Sequence, residues 1–149
     1  MPNTFSGLGI TFQYPDNWRL DEEDAVAGRE SVTVYGPGER AFWTVSVHPP
    51  TAAPARLVAT ALQAMKDIYD SLDSEEVQES LVGQEIVGYD MNFFCLDLTN
   101  SAIVRSLHTP HASYMILYQA EDRDFEQLAP IFQAMTVSLL TGLDRSAGE

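Results

Sequence analysis

Two stretches, Phe93-Phe94-Cys95-Leu96 and Met115-Ile116-Leu117, are apolar at consecutive positions rather than at alternate ones. Neighbouring side chains in a strand point to opposite faces of the sheet, so a strand apolar at both parities needs cover on both sides. The chain supplies helices for that cover. Leu57, Val58, Ala61, Leu62, Met65, Ile68, Tyr69 and Leu72 recur at helical spacing, with Arg56, Thr60, Gln63, Lys66, Asp67 and Asp70 on the opposite side. Pro54 suits the first turn of that helix. A second stripe, Phe125, Leu128, Phe132, Met135 and Leu139, marks a closing helix from about Asp124. Asp124 and Gln127 take the two positions of a capping box, and Pro130 is expected to kink the helix or divide it.

The remaining segments read as strands. Ile10, Phe12 and Tyr14 alternate with Thr11 and Gln13 and form the first of them. Pro15 cannot donate to a ladder, so pairing stops there, and Trp18-Arg19-Leu20 begins a short second strand. Ser31–Tyr35 and Ala41–His48 form a hairpin around Gly36-Pro37-Gly38, with Trp43, Val45 and Val47 on one face and Phe42, Thr44 and Ser46 on the other. Four further strands are expected near 76–82, 85–98, 102–109 and 113–119. Gly83-Gln84, Asn100-Ser101 and Thr109-Pro110-His111 would turn between them, and Gly88 would mark a bulge or bend. Consecutive strands joined by short turns are antiparallel. The order of elements therefore predicts an α+β domain: an antiparallel sheet of about six to seven strands sandwiched between helices on both faces. Residues 1–140 suit a single domain, and Thr141 to Glu149 a flexible C-terminal tail.

Charge bounds the function. Eight basic residues against 22 acidic ones leave a net charge of −14, a field that repels nucleic-acid phosphates and anionic lipid. No apolar run approaches the roughly 20 residues that span a bilayer, and the first residues show neither a basic n-region nor an apolar h-region. A cytoplasmic protein is the resulting expectation. One cysteine, Cys95, permits no internal disulfide.

Tyr14-Pro15-x-x-Trp18 after a Gly-Ile-x-Phe strand, the Val82-Gly83-Gln84-Glu85 turn into a long hairpin, and the closing Phe125…Leu128-x-Pro130-x-Phe132…Met135…Ser138-Leu139 helix together resemble the PsbP-like superfamily. The resemblance covers nearly the whole chain. It implies an antiparallel sheet between helices. Members of that superfamily include extrinsic subunits of photosystem II, a nuclear import factor that binds the Ran GTPase, bacterial lipoproteins, and cytoplasmic chaperones of type VI secretion effectors. As a group they bind other proteins rather than catalyse reactions.

The residues themselves show no convergent catalytic set. Tyr14-Pro15-x-x-Trp18 reads as a strand-ending corner. Cys95 would need His108 or His111 within hydrogen-bond reach to act as a nucleophile, and with a turn at Asn100-Ser101 it faces residues near position 106 instead. His108-x-x-His111 lacks a second pair of zinc ligands. Neither Asp21-Glu22-Glu23-Asp24 nor the group Asp70, Asp73, Glu75 and Glu76 has the spacing of a calcium loop. Gly36-Pro37-Gly38 opens no helix and so makes no phosphate cradle. Asp97 and Arg105 suit a cross-strand ion pair.

The leading expectation is a non-catalytic protein- or peptide-binding module, adaptor or chaperone-like, without cofactor or metal. Asp21, Glu22, Glu23 and Asp24 would form an acidic patch for a basic protein partner, and self-association as a homodimer is compatible with a small sheet domain. The alternative is a small-molecule carrier or enzyme with a cleft between sheet and helix, lined by Tyr35, Trp43 and His48.

Overall fold

The computed structural model describes residues 1–147. In chain order these form β1 (Asn3–Gly7), β2 (Ile10–Tyr14), β3 (Arg19–Asp21), α1 (Glu23–Val26), β4 (Ser31–Tyr35), β5 (Phe42–His48), α2 (Pro54–Ile68), β6 (Asp73–Leu81), β7 (Gln84–Cys95), β8 (Leu98–His108), β9 (Ser113–Glu121) and α3 (Asp122–Ala147). Seven strands make one sheet in the order β3-β4-β5-β9-β8-β7-β6, and every neighbouring pair is antiparallel. The α+β class and the antiparallel sheet agree with the sequence.

Alternation along the central strands divides the apolar residues between two cores. On β9, Tyr114, Ile116 and Tyr118 join Trp43, Val45, Leu107 and the α3 residues Phe132, Met135, Leu139 and Leu140. The intervening Met115 and Leu117 pack with Val58, Leu62 and Met65 of α2 and with Met91, Phe93, Ala102 and Val104. The run Met115–Leu117 thus contributes to both cores, whereas the cover expected on both sides of Phe93–Leu96 is present on one side only: Phe93 and Cys95 pack with α2, and Phe94 and Leu96 are exposed because they approach and form the hairpin turn.

Ile10–Tyr14 pairs with β1 in a separate two-stranded sheet, not with the main one. Its Phe12 packs 4.8 Å from Trp43, ring centre to ring centre. The strand edge of β2 facing away from β1 is closed by α3. Ser138 Oγ accepts a hydrogen bond from the Gln13 backbone N–H at 2.8 Å. Helix and strand meet at Gly142, where a Cβ would lie 2.8 Å from Thr11 Cγ2 and 2.9 Å from the Thr11 carbonyl oxygen. The corner that follows β2 is closed by a bond from Trp18 N–H to the Pro15 carbonyl, and the Trp18 ring meets Phe132 edge-on at 5.8 Å.

Several boundaries differ from expectation. The expected exposed loop after β3 contains the single helical turn α1, whose first residue Glu23 donates its N–H to Asp21 Oδ1. α2 stops at Ile68, which is exposed; Tyr69 then leaves the helix and stacks on Phe93 at 4.2 Å. α3 begins at Asp122, so Asp124 lies inside its first turn rather than at its cap. The same helix continues through Pro130 as one element and past Thr141, where a flexible tail was expected, to Ala147. Burial of Leu143 in the α3 core holds that extension; of the expected tail, Gly148 and Glu149 lie outside the described residues. Gly88 sits in unbroken register between Val77 and Arg105, without a bulge.

Candidate functional site

Three hairpins turn on two residues that both have positive φ: Leu8-Gly9 (54° and 75°), Val82-Gly83 (51° and 73°) and Leu96-Asp97 (53° and 65°). Such loops match the twist of the flanking strands and favour Asn-Gly or Asp-Gly. The third has no glycine. A left-handed backbone costs a residue such as leucine roughly 1–2 kcal/mol, whereas aspartate adopts it readily, so Leu96 is held in an unfavourable conformation. At this turn the side chains are also unusual. Leu96 is 92% exposed, Phe94 62% and Leu98 39%, three large apolar groups at one hairpin tip.

The sheet surface next to the tip carries carboxylates. Residues opposite one another in register share a face. On the face that includes Arg105, successive rows across β6, β7 and β8 read Asp73-Asn92-Ser101, Glu75-Asp90-Ile103 and Val77-Gly88-Arg105, followed by the pair Glu79-Ile86 of β6 and β7. Arg105 runs from β8 across Gly88, where its Cδ would lie 3.0 Å from a Cβ, and reaches both flanking strands. Its Nε donates to Glu79 Oε1 at 2.9 Å and its Nη2 to Asp90 Oδ1 at 2.7 Å. Its Nη1 donates to the Val104 carbonyl. Burial by itself would lower the Arg105 pKa, but the bonds to Asp90 and Glu79 outweigh it and raise it further. At the α3 end of the same surface, Ser101 Oγ lies 2.9 Å from Asn92 Oδ1 and 2.6 Å from Asp122 Oδ1.

Tyr118 borders this cluster and stacks on Phe132 at 4.7 Å. Burial pushes its phenol up to about 12; Arg105 opposes that shift, and Glu79 and Asp90 add to it. It is a proton holder throughout the neutral range and offers no general base.

The residues expected to line a ligand cleft do not converge. Trp43 is fully buried and its Nε1–H is committed to Thr136 Oγ1 at 3.1 Å. Tyr35 and His48 lie on the sheet face opposite Trp43 and are separated along the β4–β5 ladder, because Tyr35 pairs with Phe42 at one end of β5 and His48 closes the other. Arg19 covers the Tyr35 ring at 4.7 Å. His48 Nε2 is 2.8 Å from Ser46 Oγ, a pair that the i, i+2 spacing in a strand explains. Among the described residues no carboxylate orients the other ring nitrogen, so the pair lacks the third group of a nucleophile site.

The expected acidic patch is partly used internally. Asp21 Oδ1 accepts from the Glu23 N–H at the start of α1, and Asp24 pairs with Arg29 at 2.7 Å and accepts from Ser31 Oγ. The bond from Arg29 chiefly holds the Asp24 carboxyl below the usual range. Glu22 and Glu23 remain exposed. The other expected pairs change with the register of β7 and β8. Cys95 pairs with Leu98 rather than facing position 106, and Asp97 is a turn residue with Arg105 far along the strand. His108 closes β8 at the opposite end from Cys95, on the order of 30 Å away at about 3.3 Å per residue. Among the described residues, no group of three His, Cys, Asp or Glu is arranged to hold a metal ion, and no helix is long and apolar enough to cross a membrane.

No family model and no curated protein matches the chain. Solved structures do. The cyanobacterial PsbP of Synechocystis sp. PCC 6803 aligns with a TM-score of 0.63 at 12% identity, over 92% of this chain and 90% of that one. PA94 of Pseudomonas aeruginosa, a protein of unknown function, aligns with a TM-score of 0.57 at 14% identity, over 93% and 95%. LpqN of Mycobacterium tuberculosis, involved in cell envelope biogenesis, aligns with a TM-score of 0.50 at 13% identity, over 91% and 80%.

Proposed function

Starting from the PsbP-like fold of this chain, we propose that it is a non-catalytic protein-binding module whose contact surface is the β7–β8 hairpin tip. The observation that carries this reading is the exposure of Phe94, Leu96 and Leu98 at and beside a turn whose backbone is strained at Leu96. Phe94 and Leu98 flank the turn on opposite faces of the hairpin with Leu96 at its apex, and exposed large apolar side chains are a mark of an interaction surface. Strained backbone of this kind is retained where it serves a role. The acidic surroundings and the net charge of −14 favour a basic partner. A cytoplasmic setting belongs to the same reading. So does the view of the sheet as sandwiched between helices on both faces, which the division of β9 residues between the α2 and α3 cores supports.

The test is site-specific photocrosslinking of the full chain in its native cells. A crosslinking residue at position 96 is compared with one at Ile68, an exposed apolar position on α2. A discrete adduct at 96 that is absent at 68 is the expected result. No adduct at 96, or the same adducts at both positions, overturns the reading.

A further inference from the structure

The main sheet has two edges of very different kinds. β3 is three residues long, whereas β6 is a nine-residue strand, Asp73–Leu81, paired to β7 at every position without a bulge or proline. No strand among the described residues pairs with the outer side of β6. A long regular edge presents a row of backbone N–H and C=O groups to any extended chain, and proteins blunt such edges with short length, proline, bulges, cover or charge. Here charge is the device used: Asp73, Glu75, Glu76 and Glu79 fall within nine residues that include no lysine or arginine.

That charge is selective rather than merely protective. Like charges placed opposite one another destabilise a ladder, so the carboxylates of β6 disfavour pairing with a second copy. Opposite charges stabilise it. On one face of β6 the side chains run Asp73, Glu75, Val77, Glu79. Glu79 is already engaged by Arg105, while Asp73 and Glu75 carry no ion pair among the described residues.

We infer that the outer edge of β6 takes an extended basic segment of a partner protein by strand addition. The segment pairs its backbone with Asp73–Leu81, sets basic side chains opposite Asp73 and Glu75, and sets an apolar one opposite Val77. Backbone bonds supply the affinity, and side chains at alternate positions supply the choice of sequence. This inference goes beyond the hairpin-tip reading, uses a different surface, and stands or falls separately from it.

The experiment uses the full chain and a synthetic peptide with lysine at alternate positions around one valine, Lys-x-Val-x-Lys-x-Lys. Titration is followed by amide hydrogen exchange. The expected result is saturable binding that protects alternate amides of β6 and weakens with salt. N-methylation of alternate peptide amides should abolish it, and the double substitution Asp73→Lys with Glu75→Lys should weaken it at least about tenfold. Absence of binding overturns the inference, as does equal binding of the N-methylated peptide, which would reduce the contact to charge attraction. Dimerisation through β6, seen by light scattering and by protection of β6 amides without peptide, overturns it in favour of a second copy. Replacing Leu96 and Asp97 should leave peptide binding unchanged, which separates this surface from the hairpin tip.

Discussion

Arg105 lies across Gly88, a position that has no room for a side chain. The arginine needs a position without a side chain to pass from β8 to Glu79 on β6, and a Cβ at Gly88 would collide with the Val104 carbonyl oxygen and crowd Arg105 Cδ. Gly88→Ala should therefore cost about 3 kcal/mol or more, at the upper end of overpacking. Gly83→Ala is the comparison: it meets no atom within 4 Å but has a φ of 73°, so it should cost only about 1 kcal/mol. Urea unfolding of the two variants measures the difference.

Arg105 also ties the edge strand to the sheet. Its own side chain is only 9% exposed, but Glu79 and Asp90 are 43% and 42% exposed, so water screens the pairs. Arg105→Ala should cost about 1–2 kcal/mol, below the range for fully buried pairs. The loss should be local. Amides of β6 should exchange faster by more than those of β9, and equal acceleration throughout the sheet would contradict the assignment.

Tyr118 gives a pH dependence of known sign. Its folded pKa is raised by burial to about 12, above an ordinary value near 10. Below about pH 10 both states are protonated and the group contributes nothing. Above that, the unfolded chain loses the proton first, so stability falls as pH rises from about 10 to about 12, by roughly 2–3 kcal/mol in total. Tyr118→Phe should flatten that part of the stability profile, measured by denaturant unfolding at stepped pH.

The hairpin tip should trade stability against binding. Replacing Leu96-Asp97 by Asn-Gly supplies residues suited to positive φ at both positions. The double variant should gain about 1–2 kcal/mol in unfolding free energy. Under the proposed function it should also lose the crosslinked partner. Stabilisation with binding intact would place the contact elsewhere.

Closure of the β2 edge by α3 predicts two graded losses. Ser138→Ala removes the acceptor for the Gln13 N–H at an exposed site and should cost up to about 1 kcal/mol. Gly142→Ala forces the helix off Thr11 and should cost more, about 1–3 kcal/mol. Thermal unfolding of both variants checks the order.

The misplacement of the β7–β8 turn shows where sequence reasoning ends. Asn100-Ser101 has the composition of a turn, and Leu96-Asp97 does not. Yet Asn100 is buried in β8, paired with Phe93 and Glu121. The register that puts it there also brings Arg105 beside Asp90 and Glu79, residues 15 and 26 positions away in the chain. No local signal announces such a pairing, and so the expected Asp97–Arg105 pair was the wrong one.

What the amino-acid sequence determined by itself is what repeats over short distances. The period of α2, the alternation of β5 and the doubly apolar β9 are local patterns, and they were enough for the α+β class and the antiparallel order. What only the tertiary structure decided is which residues meet across strands and which are left uncovered. Phe94 and Phe93 are adjacent and chemically identical, yet one is exposed and the other buried against Tyr69. The difference lies in what packs on each face of β7, and that is a property of the assembled sheet rather than of either residue.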